Sequence, residues 1–212
     1  MPLADYIAAY CEDFNFAADE LITQEISGVK VTVQPYSFDG GQSVGCREKA
    51  HITLSRGSAV YECDCIDEHH WERMFFPVTL GGQDYLLFRK TLCGFTLIHA
   101  DTLEEAYDYF PEKVTHDEEA YIITGAVSFD DLIVFDGCFW ACPYMHAVYD
   151  HSARRFLLLY REFVLEADDG AWKIEGSTIT LPCRTADGEK TELTITSGEL
   201  RKLIREKGHS EL

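Results

Sequence analysis

The sequence predicts a mainly β fold, β-rich α+β in class. The expected form is an antiparallel meander, strongly coiled or barrel-like, with short peripheral helices. Three observations carry this reading. Turn signals recur roughly every ten residues, the spacing of antiparallel meanders. The segments between them alternate apolar and polar, or run apolar for strand lengths. No series of helices alternates with the strands, as a doubly wound parallel sheet would require. A two-layer α+β arrangement is the main competing architecture.

Taken in order, residues 3–14 read as a short helix, because Ile7, Tyr10, Cys11 and Phe14 fall on one helical face. "VKVTV" at 29–33 alternates strictly and reads as a strand. "HITLSRGSAVYEC" at 51–63 reads as two strands around Arg56-Gly57, and "FFPVTLGGQDYLLF" at 75–88 as two around Gly81-Gly82. "GFTLIHA" follows as a strand. A second helix is expected near 102–110: Asp101 or Thr102 caps it, Glu104 and Glu105 sit in its first turn, and Pro111 ends it. "AYIITGAV" and "LIVFDGCFWAC" are the next strands. "MHAVYDHSARRFLLLYREF" turns near 150–154, and "GSTITLPCRTADGEKTELTIT" turns at Asp187-Gly188. The last helix is expected near 198–207. Thr196 and Glu199 form a capping box, Leu200, Leu203 and Ile204 make its stripe, and Gly208 stops it. No linker rich in Pro, Gly or Ser interrupts the chain, so residues 1–212 read as a single domain.

The stretch "DLIVFDGCFWACPYMHAVYD", residues 131–150, concentrates cysteines, aromatics and a histidine. Asp136-Gly137 between two apolar runs predicts a two-residue type I′ hairpin turn, whose central positions need positive φ. On the strand after it, Cys138, Trp140 and Cys142 face one way and Phe139 and Ala141 the other. Four strand residues span roughly 13 Å, too far for Cys138 and Cys142 to share a metal unless the chain bends at Pro143. The core "DGCFWACPY", with the preceding "YLLFRKTLCGFTLIHADTLEEAYDYFPEKV", resembles a group of uncharacterised bacterial proteins of similar size that share a D-G-C-aromatic-W-A-C-P-Y signature. The resemblance implies a bacterial, cytoplasmic origin and carries over no catalytic residue.

Charge narrows the partners. With 37 acidic and 18 basic side chains the net charge is −19. Such a surface repels phosphate backbones and anionic lipid, and suits a cationic ligand or a basic protein. No nucleic acid and no membrane are therefore expected as partners. No window approaches the eighteen apolar residues of a membrane span, and the first residues lack the basic start and apolar run of a signal peptide. The expected compartment is the cytoplasm, where the eight cysteines would be mostly reduced.

Two clusters are candidates for chemistry. In "CDCIDEHHW", Cys63, Cys65, His69 and His70 are of the types that bind zinc. Their spacing is not that of a zinc knuckle, and the competing reading places both cysteines on the buried face of a strand. The second cluster pairs Cys138 or Cys142 with His146 and Asp136, the residue types of a thiol nucleophile, its base and its orienter. The acid pairs Asp130-Asp131 and Asp168-Asp169 read as solvent-facing loop residues. Nucleotide, zinc-protease and serine-hydrolase motifs are missing from the sequence. The leading expectation is a non-catalytic cytoplasmic domain binding a basic protein partner, in the manner of an acidic immunity protein. Asp136, Phe139, Trp140, Tyr144, His146 and Tyr149 are its candidate binding residues. The alternative is a zinc- or thiol-dependent enzyme using the clusters at 63–70 and 138–146. No cofactor is expected under the first reading, and zinc is the one expected under the second.

Overall fold

The computed structural model describes residues 5, 7, 16–38, 48–66, 71–91, 94–110, 121–139 and 143–210. The fold is mainly β, with antiparallel sheets and few short helices, as the alternating segments predict. The chain falls into two compact units: Met1–Pro77 with Asp84–Glu112, and Val78–Gln83 with Lys113–Leu212.

The first unit begins with β1 (Phe16–Ala18), β2 (Ile22–Ile26), β3 (Val29–Phe38), β4 (Glu48–Arg56) and β5 (Ala59–Ile66). Strand β3 is long enough to pair with β2 along its first half and with β1 along its second. Its alternation puts Val29, Val31 and Val33 on the buried face, beside Ile52 and Leu54 of β4 and Cys65 of β5. A second sheet, whose residues Val78–Gln83 count with the second unit, runs in the order β6 (Phe75–Leu80), β7 (Gln83–Phe88), β8 (Phe95–His99) and β9 (Glu105–Tyr109). Phe88 and Ile98 join the first unit's core cluster. The turns expected at Arg56-Gly57 and Gly81-Gly82 are present, with Gly57, Gly81 and Gly82 all at positive φ.

One of the three expected helices is a strand. The helix expected near 102–110 is strand β9. Its tyrosines Tyr107 and Tyr109 flank Phe95 across the ladder, with ring centroids 5.9 and 5.7 Å away. Thr96 also donates a 2.5 Å hydrogen bond to Asp108. A nine-residue helix is marginal alone, and these cross-strand contacts decide for the strand. Of the helix expected over 3–14, Asp5 and Ile7 are helical and Ile7 is buried; the remaining residues lie outside the described ones.

The second unit is built on the meander β10 (Tyr121–Phe129), β11 (Leu132–Phe139), β12 (Tyr144–Asp150) and β13 (Arg155–Leu158). A second sheet centres on β16 (Thr178–Arg184). Along one edge β16 pairs with β17 (Lys190–Thr196). Elsewhere it takes β15 (Lys173–Glu175) at its start and β14 (Glu166–Ala167) at its end. The one-turn α1 (Tyr160–Phe163) follows β13, and α2 (Ser197–Lys207) follows β17. Leu132, Val134 and Val148 of the first sheet pack with Ile179 and Leu181 of the second and with Leu200 and Ile204 of α2. That helix begins with the predicted capping box: Glu199 N–H donates to Thr196 Oγ1 and Thr196 N–H donates to Glu199 Oε2.

The hairpin tip is not at Asp136-Gly137. Both residues lie inside β11, where they pair with β10 and β12. The turn falls instead at Asp130-Asp131, whose φ angles are 47° and 62°. Aspartate is among the few non-glycine residues that tolerate this region. Here both carboxylates are anchored: Asp130 accepts from the Ser197 hydroxyl, and Asp131 accepts the Gly81 N–H at 2.6 Å. Gly137 has no positive φ. It is required by proximity, since a Cβ there would lie 2.2 Å from the Ile122 carbonyl oxygen and 2.8 Å from the Tyr121 ring.

An acidic cleft above Asp136 and His146

Antiparallel register assembles the candidate site in the second unit. Directly opposed residues share a sheet face. Asp136 of β11 pairs with His146 of β12, and Cys138 pairs with Tyr144. The same face therefore runs from the apolar Leu132, Val134 and Val148 to a polar end built of Asp136, Cys138, Tyr144 and His146. At that end the ladder is irregular. The register of β10 against β11 shifts between Ile123 and Gly125, opposite Asp136. A bulge here bends the strand and re-aims its side chains. Thr124 turns its hydroxyl to the Asp136 carbonyl at 3.3 Å, and Gly125 lies beside Trp172.

The polar end opens as a cleft of about 510 Å³ lined by Thr124, Asp136, Pro143, Tyr144, Glu166, Ala167, Asp168, Asp169 and Arg184. Four of these residues are carboxylic acids and one is a cation. The cation is already engaged, because Arg184 Nε lies 2.7 Å from Asp168 Oδ1. Lys190 reaches the other oxygen of Asp168 at 3.1 Å. Burial works against ionisation of Asp168, but the hydrogen bonds from Lys190 and Arg184 prevail and hold its carboxyl below the usual range. Asp136 moves the other way. Burial raises its pKa, the neighbouring His146 and the hydrogen bond from the Gly137 N–H oppose the rise, and the negative charge of Asp169 adds to it. At the rim Tyr144 is 49% exposed. Its phenol is also shifted upward, by burial and then by the negative charges of Cys138, Asp136 and Asp169. The cleft therefore carries an acidic field that its own cations do not neutralise.

Beneath the cleft, His146 is 2% exposed. Its Nε2 lies 2.9 Å from the carbonyl oxygen of Pro182, so Nε2 bears the proton and donates it. In the neutral ring Nδ1 is then an acceptor. It has no hydrogen-bond partner and points toward Asp136, at ion-pair distance, 3.9 Å from Oδ1, which likewise has no hydrogen-bond partner. Trp172 closes the imidazole edge-on, with centroids 5.9 Å apart.

The structure sorts the residues expected from sequence. Asp136, Tyr144 and His146 are brought together. Phe139 is half-buried and packs edge-to-face on Tyr121, with centroids 5.5 Å apart. Tyr149 is fully buried and stacked on Phe156 at 4.5 Å, so it is a core residue and offers no binding surface. Trp140 and Cys142 lie outside the described residues, as do His69 and His70. Cys63 and Cys65 share one face of β5 in the other unit, with sulfurs 4.0 Å apart; Cys65 is fully buried. The four described cysteines, Cys63, Cys65, Cys138 and Cys183, form no disulfide with one another. Among the described residues no three His, Cys, Asp or Glu side chains are grouped to hold a metal ion. Neither ring nitrogen of His146 is bonded to a thiol.

Glu166, Asp168, Asp169, Thr124 and Arg184 were not singled out as site residues by sequence. Asp168-Asp169 before Gly170 has the look of an ordinary turn. The one signal was the adjacent acids close to Trp172 in "EADDGAW". No helix among the described residues is long and apolar enough to cross a membrane. In comparison with known proteins, no family model, no curated protein and no solved structure matches the chain.

Proposed function

We propose that this protein is a non-catalytic binding domain, cytoplasmic and bacterial, that captures a basic protein partner in the cleft above Asp136. An immunity-type role, with the acidic domain neutralising a basic partner, is one concrete form of this reading. The observation that carries it is the charge of the cleft: four acids against one arginine already paired with Asp168. The chain's overall charge of −19 extends the same sign over the surface and would steer a cationic partner inward. The same charge disfavours a nucleic-acid partner. The alternative, a zinc- or thiol-dependent enzyme, has less support. Its two clusters fall in different units, and His146 directs its Nε2 proton to a backbone carbonyl rather than to a nucleophile. The test is calorimetric titration with a polycationic peptide such as hexalysine, at low and at high salt. Binding should weaken steeply with salt, and further in a Glu166→Gln, Asp169→Asn double variant. Equal affinity for parent and double variant would overturn the cleft as the binding site.

A further inference from the structure

We propose that Cys63 and Cys65 form a metal site that holds one Cu(I) ion between their two thiolates. The site lies in the first unit. It goes beyond the reading of the acidic cleft and does not depend on it.

Alternation along β5 places Cys63 and Cys65 on one face, with their sulfurs 4.0 Å apart. Two links can join such a pair, a disulfide or a bridging ion. A disulfide needs Cβ atoms within about 4.5 Å of each other. Residues two apart on a strand stand roughly 6.6 Å apart. Closing that gap would strain the ladder in which Cys63 pairs with Ile52 and Cys65 with Ala50. A bridging ion needs no such shift. Two metal–thiolate bonds of about 2.3 Å hold their sulfurs about 3.8 Å apart at a tetrahedral angle and about 4.6 Å apart in line. The observed 4.0 Å falls between these limits, at a bond angle of about 120°. The pair is thus spaced for a thiophilic ion of low coordination.

The surroundings select the ion. Cys65 is fully buried in the apolar cluster that holds Val33, Ile52 and Phe88, and Cys63 packs half-buried against the same cluster. Cys63 is therefore the side from which an ion enters. Zinc takes four ligands, and among the described residues no third His, Cys, Asp or Glu is grouped with the pair. Soft thiolate ligands select Cu(I), which accepts fewer ligands. Burial pushes the Cys65 thiol well up, Cys63 adds to the rise, and the charge of Lys90 opposes it. An incoming ion must displace a firmly held proton, which favours a cation of very high thiolate affinity. On binding, the two thiols release two protons and the complex carries one negative charge. Lys90 lends Cys65 a positive potential, although its ammonium also pairs with Glu105 at 2.9 Å and Asp108 at 3.3 Å.

The experiment titrates the full reduced chain, without oxygen, with Cu(I) against the chromophoric chelator bicinchoninate. The parent is expected to withdraw Cu(I) from the chelator, and X-ray absorption should show the tightest-bound ion with sulfur neighbours only. Cys63→Ser should weaken this site by more than about a hundredfold, beyond the roughly 10–100-fold that follows loss of a group behind a metal ligand. Cys65→Ala should do the same. If Cys65→Ala fails to fold by circular dichroism, the half-buried Cys63→Ser carries the test. Cys138→Ser should bind as the parent does. One equivalent of Cu(I) should also shield Cys63 from alkylation by iodoacetamide, read on its peptide by mass spectrometry. A parent that leaves Cu(I) with the chelator would overturn the proposal. So would an affinity unchanged in folded Cys63→Ser, because the ion would then sit on other cysteines. Zinc held in a four-coordinate site that includes Cys63 and Cys65 would overturn the choice of a low-coordinate ion.

Discussion

His146 Nδ1 and Asp136 Oδ1 lie 3.9 Å apart on directly paired positions of β12 and β11, and neither atom has a hydrogen-bond partner. Buried polar groups are nearly always paired. Such exceptions cost stability and collect at functional sites. Here the exception sits on the floor of the acidic cleft, beside a β-bulge, where a strand commonly re-aims a side chain toward a ligand.

Gly137 is the most constrained backbone position next to this pair. Any Cβ would approach the Ile122 carbonyl oxygen to 2.2 Å, and backbone on a paired strand cannot step aside. Gly137→Ala is expected to destabilise the protein by roughly 1–3 kcal/mol, the range for overpacking a filled interior. Urea denaturation followed by circular dichroism measures it, and a variant as stable as the parent would refute the close approach.

Asp130 ties the β10–β11 turn to the start of α2 through the Ser197 hydroxyl, and Arg201 donates to its carbonyl oxygen. Asp130→Ala removes the carboxylate acceptor and leaves a residue at φ 47° that no longer has a local reason to be there. A loss of about 1–2 kcal/mol is expected from the broken hydrogen bond and the less tolerant backbone. Asp130→Gly should lose less, because glycine adopts this φ freely. Denaturation midpoints of the two variants rank them.

The strands were legible because alternation reports directly on which face is buried. "VKVTV" becomes the buried-face sequence of β3, and Thr196 with Glu199 closes the helix cap where the motif predicts. What was not legible depends on contacts between distant segments. Asp-Gly at 136–137 carries a strong local turn signal, yet pairing with both neighbouring strands overrides it. The true tip, Asp130-Asp131, is a weaker signal locally, but it is secured by Ser197 and Gly81, residues 67 and 50 positions away. The helix expected at 102–110 yields to cross-strand rings for the same reason. The candidate site divides likewise. Asp136, Tyr144 and His146 were found as one cluster because they are near in sequence. The opposite wall, Glu166, Asp168, Asp169 and Arg184, reaches the cleft only through the pairing of β14 with β16.

The capping box gives a control far from the cleft chemistry. Thr196→Ala removes the acceptor for the Glu199 N–H and the hydroxyl that donates to Glu199 Oε2. The expected cost is about 1 kcal/mol, as for other N-cap losses. Affinity for basic peptides should stay at the parent level. A large loss of binding in this variant would show that peptide capture depends on global stability rather than on the cleft.

Asp136 should show the opposite pattern, a gain in stability with a loss of function. Burial raises the pKa of its carboxyl in the folded state above the ordinary value of 3.8. The folded protein then binds this proton more tightly than the unfolded chain does. Stability from this group is present at pH values below 3.8 and is lost as the pH rises through the elevated folded-state value. Above that value the carboxylate is ionised in a sheltered position, and the fold bears that cost. Asp136→Asn removes the charge while keeping the shape, so it should raise the denaturation midpoint at pH 7 and lose that advantage in acid, where the parent's carboxyl is also neutral. Binding of hexalysine should meanwhile weaken. Stability given up at a site that binds better for it marks a functional residue. Urea melts of parent and variant at pH 7 and pH 3, set beside the binding titration, decide the matter. An Asp136→Asn protein less stable than the parent at pH 7 would show that the carboxylate is a structural group.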